Sequence, residues 1–326
     1  MRPIVFVTRK IPDEGMKILN EDFDVRVYDD DNRPVTRADL LEQVKDASAV
    51  LSMLNDKINR EVLDAAPDLK VVANMAVGTD NIDINACTEK GVVVSNTPGV
   101  LTEATADLTF ALLLSISRRI VEGDAYVREG QFSGWDPLLF LGGELYNKTL
   151  GIIGMGRIGQ AVARRAKGFG MNIIYHNRSP VKEEISQQLG AMYLSVDEVV
   201  QQADYLTLHL PYYPQVYHII NRERLHMMKP TSYLINTARG AHVDEYSLVD
   251  CLKNGKIAGA ALDVFEKEPQ LTPGLEKLNN VVLAPHVGSA GRETRSTMSR
   301  MAAESIRDVL QGKTPAYIVN TQVLES

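Results

Sequence analysis

Cysteine is scarce in this sequence: Cys87 and Cys251 are the only two among 326 residues. Two distant thiols supply neither a disulfide framework nor a metal-ligand cluster. The chain is therefore expected to hold no metal and to keep both thiols as buried or half-buried groups in a reducing, cytoplasmic setting. Basic charge is not in excess either. Lys and Arg number 35 against 42 Asp and Glu, net −7, which argues against a nucleic-acid partner, since such partners favour basic faces. The local run Arg164, Arg165 and Lys167 reads as the solvated face of a helix. No apolar run reaches the roughly 18 residues of a membrane span. The N-terminal MRPIVFVTRKIP has an apolar core too short for a signal peptide, so it reads as a first strand and no membrane partner is expected. Short repeats and low-complexity segments are missing, and tryptophan occurs once, as Trp135.

What the chain does have is alternation. Apolar residues make up 44% and charged residues 24%, the balance of a globular protein. Strand-like runs at Ile4–Thr8, Asp24–Tyr28, Ala49–Leu54, Leu69–Met75 and Val92–Ser95 are interleaved with helical segments at Pro12–Asn20 and Thr36–Lys45, with Thr36 as N-cap. After the turn-like Asn96-Thr97-Pro98-Gly99 and a long apolar helix over Leu101–Ile120, a second series begins. Its strands are Thr149–Ile153, Asn172–Tyr175, Tyr205–Leu208, Ser232–Asn236, Gly259–Leu262 and Val281–Leu283. Such alternation predicts an α/β fold of two Rossmann-like, doubly wound parallel-sheet domains. A final helix, Ser296–Gln311, falls outside the second series and is expected to return to the first. The substrate domain is then discontinuous, 1–99 plus 290–326, and 100–289 is the dinucleotide-binding domain, with a cleft between the lobes. The loose segment GQFSGWDPLLFLGGELYNK around Trp135 reads equally as local packing or as a lid or subunit contact.

In LGIIGMGRIGQAVARRAKGFGMNIIYHNRS, Gly154, Gly156 and Gly159 form a G-x-G-x-x-G between a strand and a helix. The first glycine allows the turn, the second lets backbone approach a pyrophosphate, and the third brings helix against strand. Arg157 and Ile158 open that helix, whose free N–H groups stabilise phosphates. An NAD site usually carries Asp or Glu about 20 residues on, bound to the ribose 2′-OH. Here the second strand ends in His176-Asn177-Arg178-Ser179, and the first acid is Glu183. Asn177, Arg178 and Ser179 thus face the cofactor with a cation and a hydroxyl and no opposing carboxylate, which predicts NADP(H) as the preferred cofactor. NAD(H) is the alternative, with Arg178 stacked on adenine.

Three more segments put polar side chains just past strands, where open α/β sheets bind ligands. They are Arg239 in SYLINTARG, Asp263 and Glu268 in GAALDVFEKEP, and His286 in VVLAPHVGS. The set suits reduction of a 2-keto acid. His286 supplies a proton, Glu268 orients its imidazole and favours the protonated form, and Arg239 holds the carboxylate and polarises the carbonyl. His209 also ends a strand but lacks such company and reads as lining the adenosine side. His218, His226 and His242 read as surface or packing residues.

GMGRIGQ, LINTARG, ALDVFEKEP and LAPHVGS together resemble the D-isomer-specific 2-hydroxyacid dehydrogenase family over nearly the whole chain. The resemblance implies that Arg239, Glu268 and His286 are catalytic and that Asp263 contacts the nicotinamide carboxamide. It places Thr237, Ala238 and Gly288 beside the cofactor. It also implies that Val77-Gly78-Thr79 holds the substrate carboxylate through backbone amides, and that the protein is a homodimer. The His-Asn-Arg-Ser ending and the GWDP loop resemble the glyoxylate/hydroxypyruvate reductase branch. Leu54, in SMLNDKIN, is expected to line the substrate site with Val77, Gly78, Arg239 and His286. That loop is apolar, with Lys57 its only cation, which favours small unphosphorylated acids such as glyoxylate, hydroxypyruvate or 2-ketogluconate. The rival readings are an NAD-linked D-lactate- or phosphoglycerate-type dehydrogenase and a non-catalytic, dinucleotide-sensing co-repressor-like protein.

Overall fold

The computed structural model describes residues 2–28 and 33–325. Its chain gathers into two compact units, Met1–Leu101 with Ser289–Ser326, and Thr102–Gly288.

In the first unit the elements run β1 (Ile4–Val7), α1 (Asp13–Asp22), β2 (Asp24–Val27), α2 (Arg37–Gln43), β3 (Ala49–Ser52), α3 (Arg60–Ala65), β4 (Val71–Asn74), α4 (Ile84–Glu89) and β5 (Val93–Ser95). Among the described residues the strands form a five-stranded sheet, β2-β1-β3-β4-β5, with every pair parallel. β3 and β4 are buried at every position, as strands covered on both faces must be. Thr36 caps α2 by accepting from the Asp39 amide, and Asn59 and Asp83 cap α3 and α4 in the same way.

The second unit runs α5 (Thr102–Ser117), α6 (Ile120–Arg128), β6 (Thr149–Ile153), α7 (Arg157–Gly168), β7 (Asn172–His176), α8 (Glu183–Leu189), β8 (Ala191–Tyr193), α9 (Val196–Gln202), β9 (Tyr205–Leu208), α10 (Arg222–Met227), β10 (Tyr233–Asn236), α11 (Glu245–Lys253), β11 (Gly259–Leu262) and β12 (Val281–Leu283). Its described strands form a seven-stranded parallel sheet, β12-β11-β10-β9-β6-β7-β8. The order reverses at the β6/β9 boundary, the switch point where doubly wound sheets bind ligands. Two apolar clusters cover its two faces.

The last helix, α12 (Arg292–Leu310), packs in the first unit, as expected. Its Ala302, Ala303 and Ile306 join Val5, Val7 and Leu51 in that core. The helix expected over Leu101–Ile120 is α5, which ends at Ser117, and a second helix, α6, follows it. Arg119 takes a left-handed backbone, φ 54°, and α6 departs with no buried residue. Beyond it Phe132, Trp135, Leu138, Leu141 and Tyr146 stand in solvent, Trp135 at 86% exposure, so local packing does not account for these five side chains, although Leu145 is buried and Phe140 packs on Tyr126. Both cysteines are buried, and burial pushes the Cys87 thiol up to about 12. Among the described residues no helix is long and apolar enough to cross a membrane.

Candidate active site

The glycine turn stands at the carboxyl end of β6. Gly154 has φ 102°, a conformation side chains rarely adopt, and its position leaves no room for a Cβ, which would lie 2.6 Å from the His209 carbonyl carbon. Gly156 caps α7 with open space above it, and Gly159 is buried in the first turn. Arg157 is exposed and Ile158 half-buried at the helix start, and no acid lies in that turn. Here the free N–H groups and helix dipole favour an anion. A cavity of about 360 Å³ opens beside this turn, lined by Gly154, Gly156, Asn177, Arg178, Ser179, His209 and Tyr213. Burial lowers the His209 pKa to about 3, so the ring is neutral, and neither of its nitrogens has a partner among the described residues. Unpartnered buried nitrogens, uncovered helix amides and a glycine with room above it suit a dinucleotide.

The segment after β7 is fixed from two sides. Asn177 Oδ1 accepts from the Met155 amide at 2.7 Å, tying the segment to the glycine turn. Tyr193, at the end of β8, donates to the Asn177 carbonyl at 3.1 Å, while His176 Nδ1 pairs with the Leu194 carbonyl at 2.9 Å. Arg178 and Ser179 are exposed, and the Arg178 guanidinium lies 5.4 Å from the centroid of the Tyr213 ring. Among the described residues no carboxylate forms an ion pair with Arg178.

Arg239, Glu268 and His286 follow β10, β11 and β12, three neighbouring strands of one parallel sheet, so their loops leave the same edge. His286 Nδ1 and Glu268 Oε2 are 2.8 Å apart. Burial alone would raise the Glu268 pKa. The hydrogen bond and charge of His286, the Phe265 amide and the Arg239 charge outweigh it and hold the carboxyl below its usual range. His286 itself has φ 54°, a strained setting for a non-glycine residue that the surroundings must enforce. Asp263 supplies that enforcement. Its carbonyl accepts from the His286 amide at 2.9 Å, and its two carboxylate oxygens accept from the Val287 and Gly288 amides at 2.7 and 2.8 Å. Burial raises the Asp263 pKa, partly offset by those amides and the His286 charge. Thr105 donates to the Gly288 carbonyl at 3.2 Å, closing the loop.

Arg239 is held by its own turn. Asn236, fully buried at the end of β10, donates to the Arg239 carbonyl at 2.8 Å and accepts from the Ala238 amide at 3.0 Å. Thr237 pairs with Thr109 at 3.0 Å. A Cβ on Gly240 would lie 1.9 Å from the Phe265 carbonyl carbon, so only glycine lets the Arg239 turn touch the Glu268 loop. That loop is anchored on buried Glu245, which accepts from the Glu266 amide at 2.8 Å and the Thr272 hydroxyl at 2.6 Å. Glu266 in turn accepts from Tyr217 at 2.9 Å and pairs with His218 at 3.0 Å. His218 is thus a half-buried hydrogen-bond partner of Glu266, whereas His242 is buried. Asn236, Glu245, Tyr193 and Tyr213 were not anticipated from sequence. The one hint was a polar Asn236 closing an otherwise apolar strand.

In the first unit, Leu54 and Gly78 are half-buried and Val77 is exposed, in the loops that follow β3 and β4. Among the described residues no cluster of His, Cys, Asp and Glu suited to a metal occurs.

Comparisons with known proteins agree on the class. Residues 110–288 match the model of the D-isomer specific 2-hydroxyacid dehydrogenase NAD-binding domain. The chain is 49% identical over 330 residues to the glyoxylate reductase of Thermococcus litoralis, spanning 100% of this chain and 99% of the relative. A crystal structure of a Thermus thermophilus protein superposes with a TM-score of 0.90 at 45% identity, over 97% of this chain and 99% of the other. The NADPH-dependent glyoxylate/hydroxypyruvate reductase of Sinorhizobium meliloti, solved with NADP and malonate, gives a TM-score of 0.87 at 34% identity, over 99% and 98% of the two chains. The chain belongs to the D-isomer-specific 2-hydroxyacid dehydrogenase family.

Proposed function

We propose that the chain reduces small 2-keto acids, glyoxylate and hydroxypyruvate foremost and 2-ketogluconate as a further candidate, to D-2-hydroxy acids with NADPH. The observation that carries this reading is the 2.8 Å His286–Glu268 pair, with the Arg239 charge bearing on the same carboxylate, on the sheet that also carries the glycine cradle.

In this reading Thr102–Gly288 binds the dinucleotide, and Met1–Leu101 with Ser289–Ser326 supplies Leu54, Val77 and Gly78 to the substrate. Gly154, Gly156, Arg157, Ile158 and Gly159 hold the diphosphate, while Thr237, Ala238, Asp263 and Gly288 lie by the nicotinamide. When bound, the nicotinamide supplies the hydride that reaches C2 of the keto acid. Arg239 holds the substrate carboxylate and polarises its carbonyl through charge-assisted hydrogen bonds. His286 Nδ1 is committed to Glu268, so Nε2 gives the proton to the oxygen that gains charge. The Glu268 carboxylate stabilises the protonated imidazole that precedes this transfer. In the oxidation direction His286 takes the proton back.

NADPH is favoured because Arg178 and Ser179 are exposed beside the cavity with no opposing carboxylate. We further read the protein as a cytoplasmic homodimer that buries the apolar segment around Trp135, since so many adjacent exposed apolar side chains favour an interface. Sedimentation equilibrium tests the dimer. A panel of 2-keto acids against NADPH and NADH, with His286→Ala as control, tests the activity. Expected is NADPH oxidation with glyoxylate and hydroxypyruvate that the variant loses. A wild type that binds NADPH but turns over no 2-keto acid overturns the reading.

A further inference from the structure

Amide side chains join the loops that leave β3 and β4. Ser52 and Asn74 are register partners at the ends of those strands, both fully buried, and the Ser52 hydroxyl donates to Asn74 Oδ1 at 3.0 Å. Asn74 Nδ2 donates to the Gly78 carbonyl at 2.8 Å and to Asn81 Oδ1 at 3.2 Å. Asn81 then reaches across: its Nδ2 donates to the Met53 carbonyl at 3.0 Å and the Asp56 carbonyl at 2.9 Å. Both hydrogens of that one NH₂ group are thereby used on the neighbouring loop. The backbone repeats the link, the Ile58 amide donating to the Asn81 carbonyl at 2.9 Å and the Asp83 amide to the Ile58 carbonyl at 2.8 Å. On the far side of the first loop the buried Asp56 carboxylate accepts from the Met53 amide at 2.6 Å and from the Thr8 hydroxyl.

Met53 and Asp56, which bracket Leu54, are thus pinned by the same residue whose partner Asn74 pins Gly78. We infer that Asn81 is a positioning residue, locking residues 53–58 and 75–81 into one block, so that the group contacting the keto-acid side chain (Leu54) and the amides gripping its carboxylate (Val77, Gly78) keep a fixed separation. This rests on the substrate role proposed above for those three residues. A fixed spacing sets the length of acid accepted, because a 2-keto acid longer than glyoxylate, such as hydroxypyruvate, presents its carboxylate and its C3 group at opposite ends of a rigid unit. A mis-set spacing raises KM without touching the atoms that move the proton.

Asn81→Ala removes the two cross-loop donors at a half-buried position. Expected is a rise in the KM for hydroxypyruvate of about tenfold, on the scale of two lost hydrogen bonds, with a smaller rise for glyoxylate, which has no C3 group. kcat and the NADPH dissociation constant stay within about twofold, and the ratio of kcat/KM for hydroxypyruvate to that for glyoxylate shifts. Asn81→Asp keeps the shape, loses the donors and sets a carboxylate oxygen against the Met53 and Asp56 carbonyls, so it is expected to loosen the loops at least as much as alanine. Amide hydrogen exchange gives a readout independent of turnover: residues 53–58 and 75–81 should both exchange faster in Asn81→Ala, with the rest of the chain unchanged. An unaltered KM, NADPH affinity lost in parallel with substrate affinity, or faster exchange in only one loop overturns the inference. If the wild type reduces no 2-keto acid, the functional reading fails, and the exchange measurement still decides whether Asn81 joins the loops.

Discussion

The two sheets share a winding rule and differ in what they carry at their carboxyl edges. All six histidines of the chain, with Arg239 and Glu268, fall in Thr102–Gly288, whose loops bear charged side chains pulled toward one another. The loops of the five-stranded sheet present amides and hydroxyls, Ser52, Asn74 and Asn81, around the buried Asp56. One sheet carries an imidazole, a carboxylate and a guanidinium at its edge, while the other carries two neutral amides and a hydroxyl beside the buried Asp56 carboxylate. A parallel sheet offers the same kind of ledge in both units. In the proposed reading, side chains between the strand ends and seven residues past them decide whether that ledge moves protons or measures shape.

The comparison breaks if proton-moving side chains can be removed cheaply. His286→Ala is expected to lower kcat with glyoxylate about 10³-fold with NADPH affinity unchanged, read by NADPH absorbance and by fluorescence titration. Arg239→Ala should cost about 10²-fold or more in kcat/KM, and Arg239→Lys should recover little of it, since an ammonium lacks the planar fork. Near-normal turnover in either variant would remove that residue from the reaction.

Asp263→Asn sharpens the comparison, because it is nearly isosteric. An amide NH₂ would meet the Val287 or Gly288 N–H where a carboxylate oxygen now accepts. The His286 loop should loosen, and kcat/KM should fall about 10- to 100-fold, the scale of a lost charge-assisted hydrogen bond. Arg178→Ala acts at the other end of the cavity. It is expected to reduce kcat/KM with NADPH about tenfold while that with NADH changes little. Equal losses with both cofactors would refute Arg178 as the group that favours NADPH over NADH.

The smallest effect is one of pH. The folded-state Glu268 pKa lies below its ordinary value. The stabilisation from its pairing with His286 is therefore complete above the ordinary glutamate range and is lost as pH falls through the depressed value. Wild-type melting temperature should drop across that window, and Glu268→Gln should drop less steeply. Identical acid profiles for the two proteins would contradict the shift.

Much of this was legible in the sequence, for physical reasons. The strands Thr149–Ile153, Tyr205–Leu208 and Gly259–Leu262 coincide with β6, β9 and β11 because interior parallel strands are mainly apolar runs, and Val281–Leu283 coincides with the half-buried edge strand β12. That Glu268 and His286 would meet was legible because both follow strands of one sheet. β8 was not: it has three residues, two of them exposed, on the sheet's edge. Nor was the break at Arg119, which no glycine or proline marks. Glu245 and Tyr193 escaped because their partners, the Glu266 amide and Thr272 hydroxyl for one and the Asn177 carbonyl for the other, are brought close only by folding, and residue type alone carries no trace of them.

Gly240 has a practical consequence. With no space for even a methyl group between its Cα and the Phe265 carbonyl, the turn bearing Arg239 and the turn bearing Glu268 are mechanically one piece. Laboratory selection for new acids, randomising positions 237–242, should return glycine at 240 under every regime, and altered preference will have to come from side chains elsewhere.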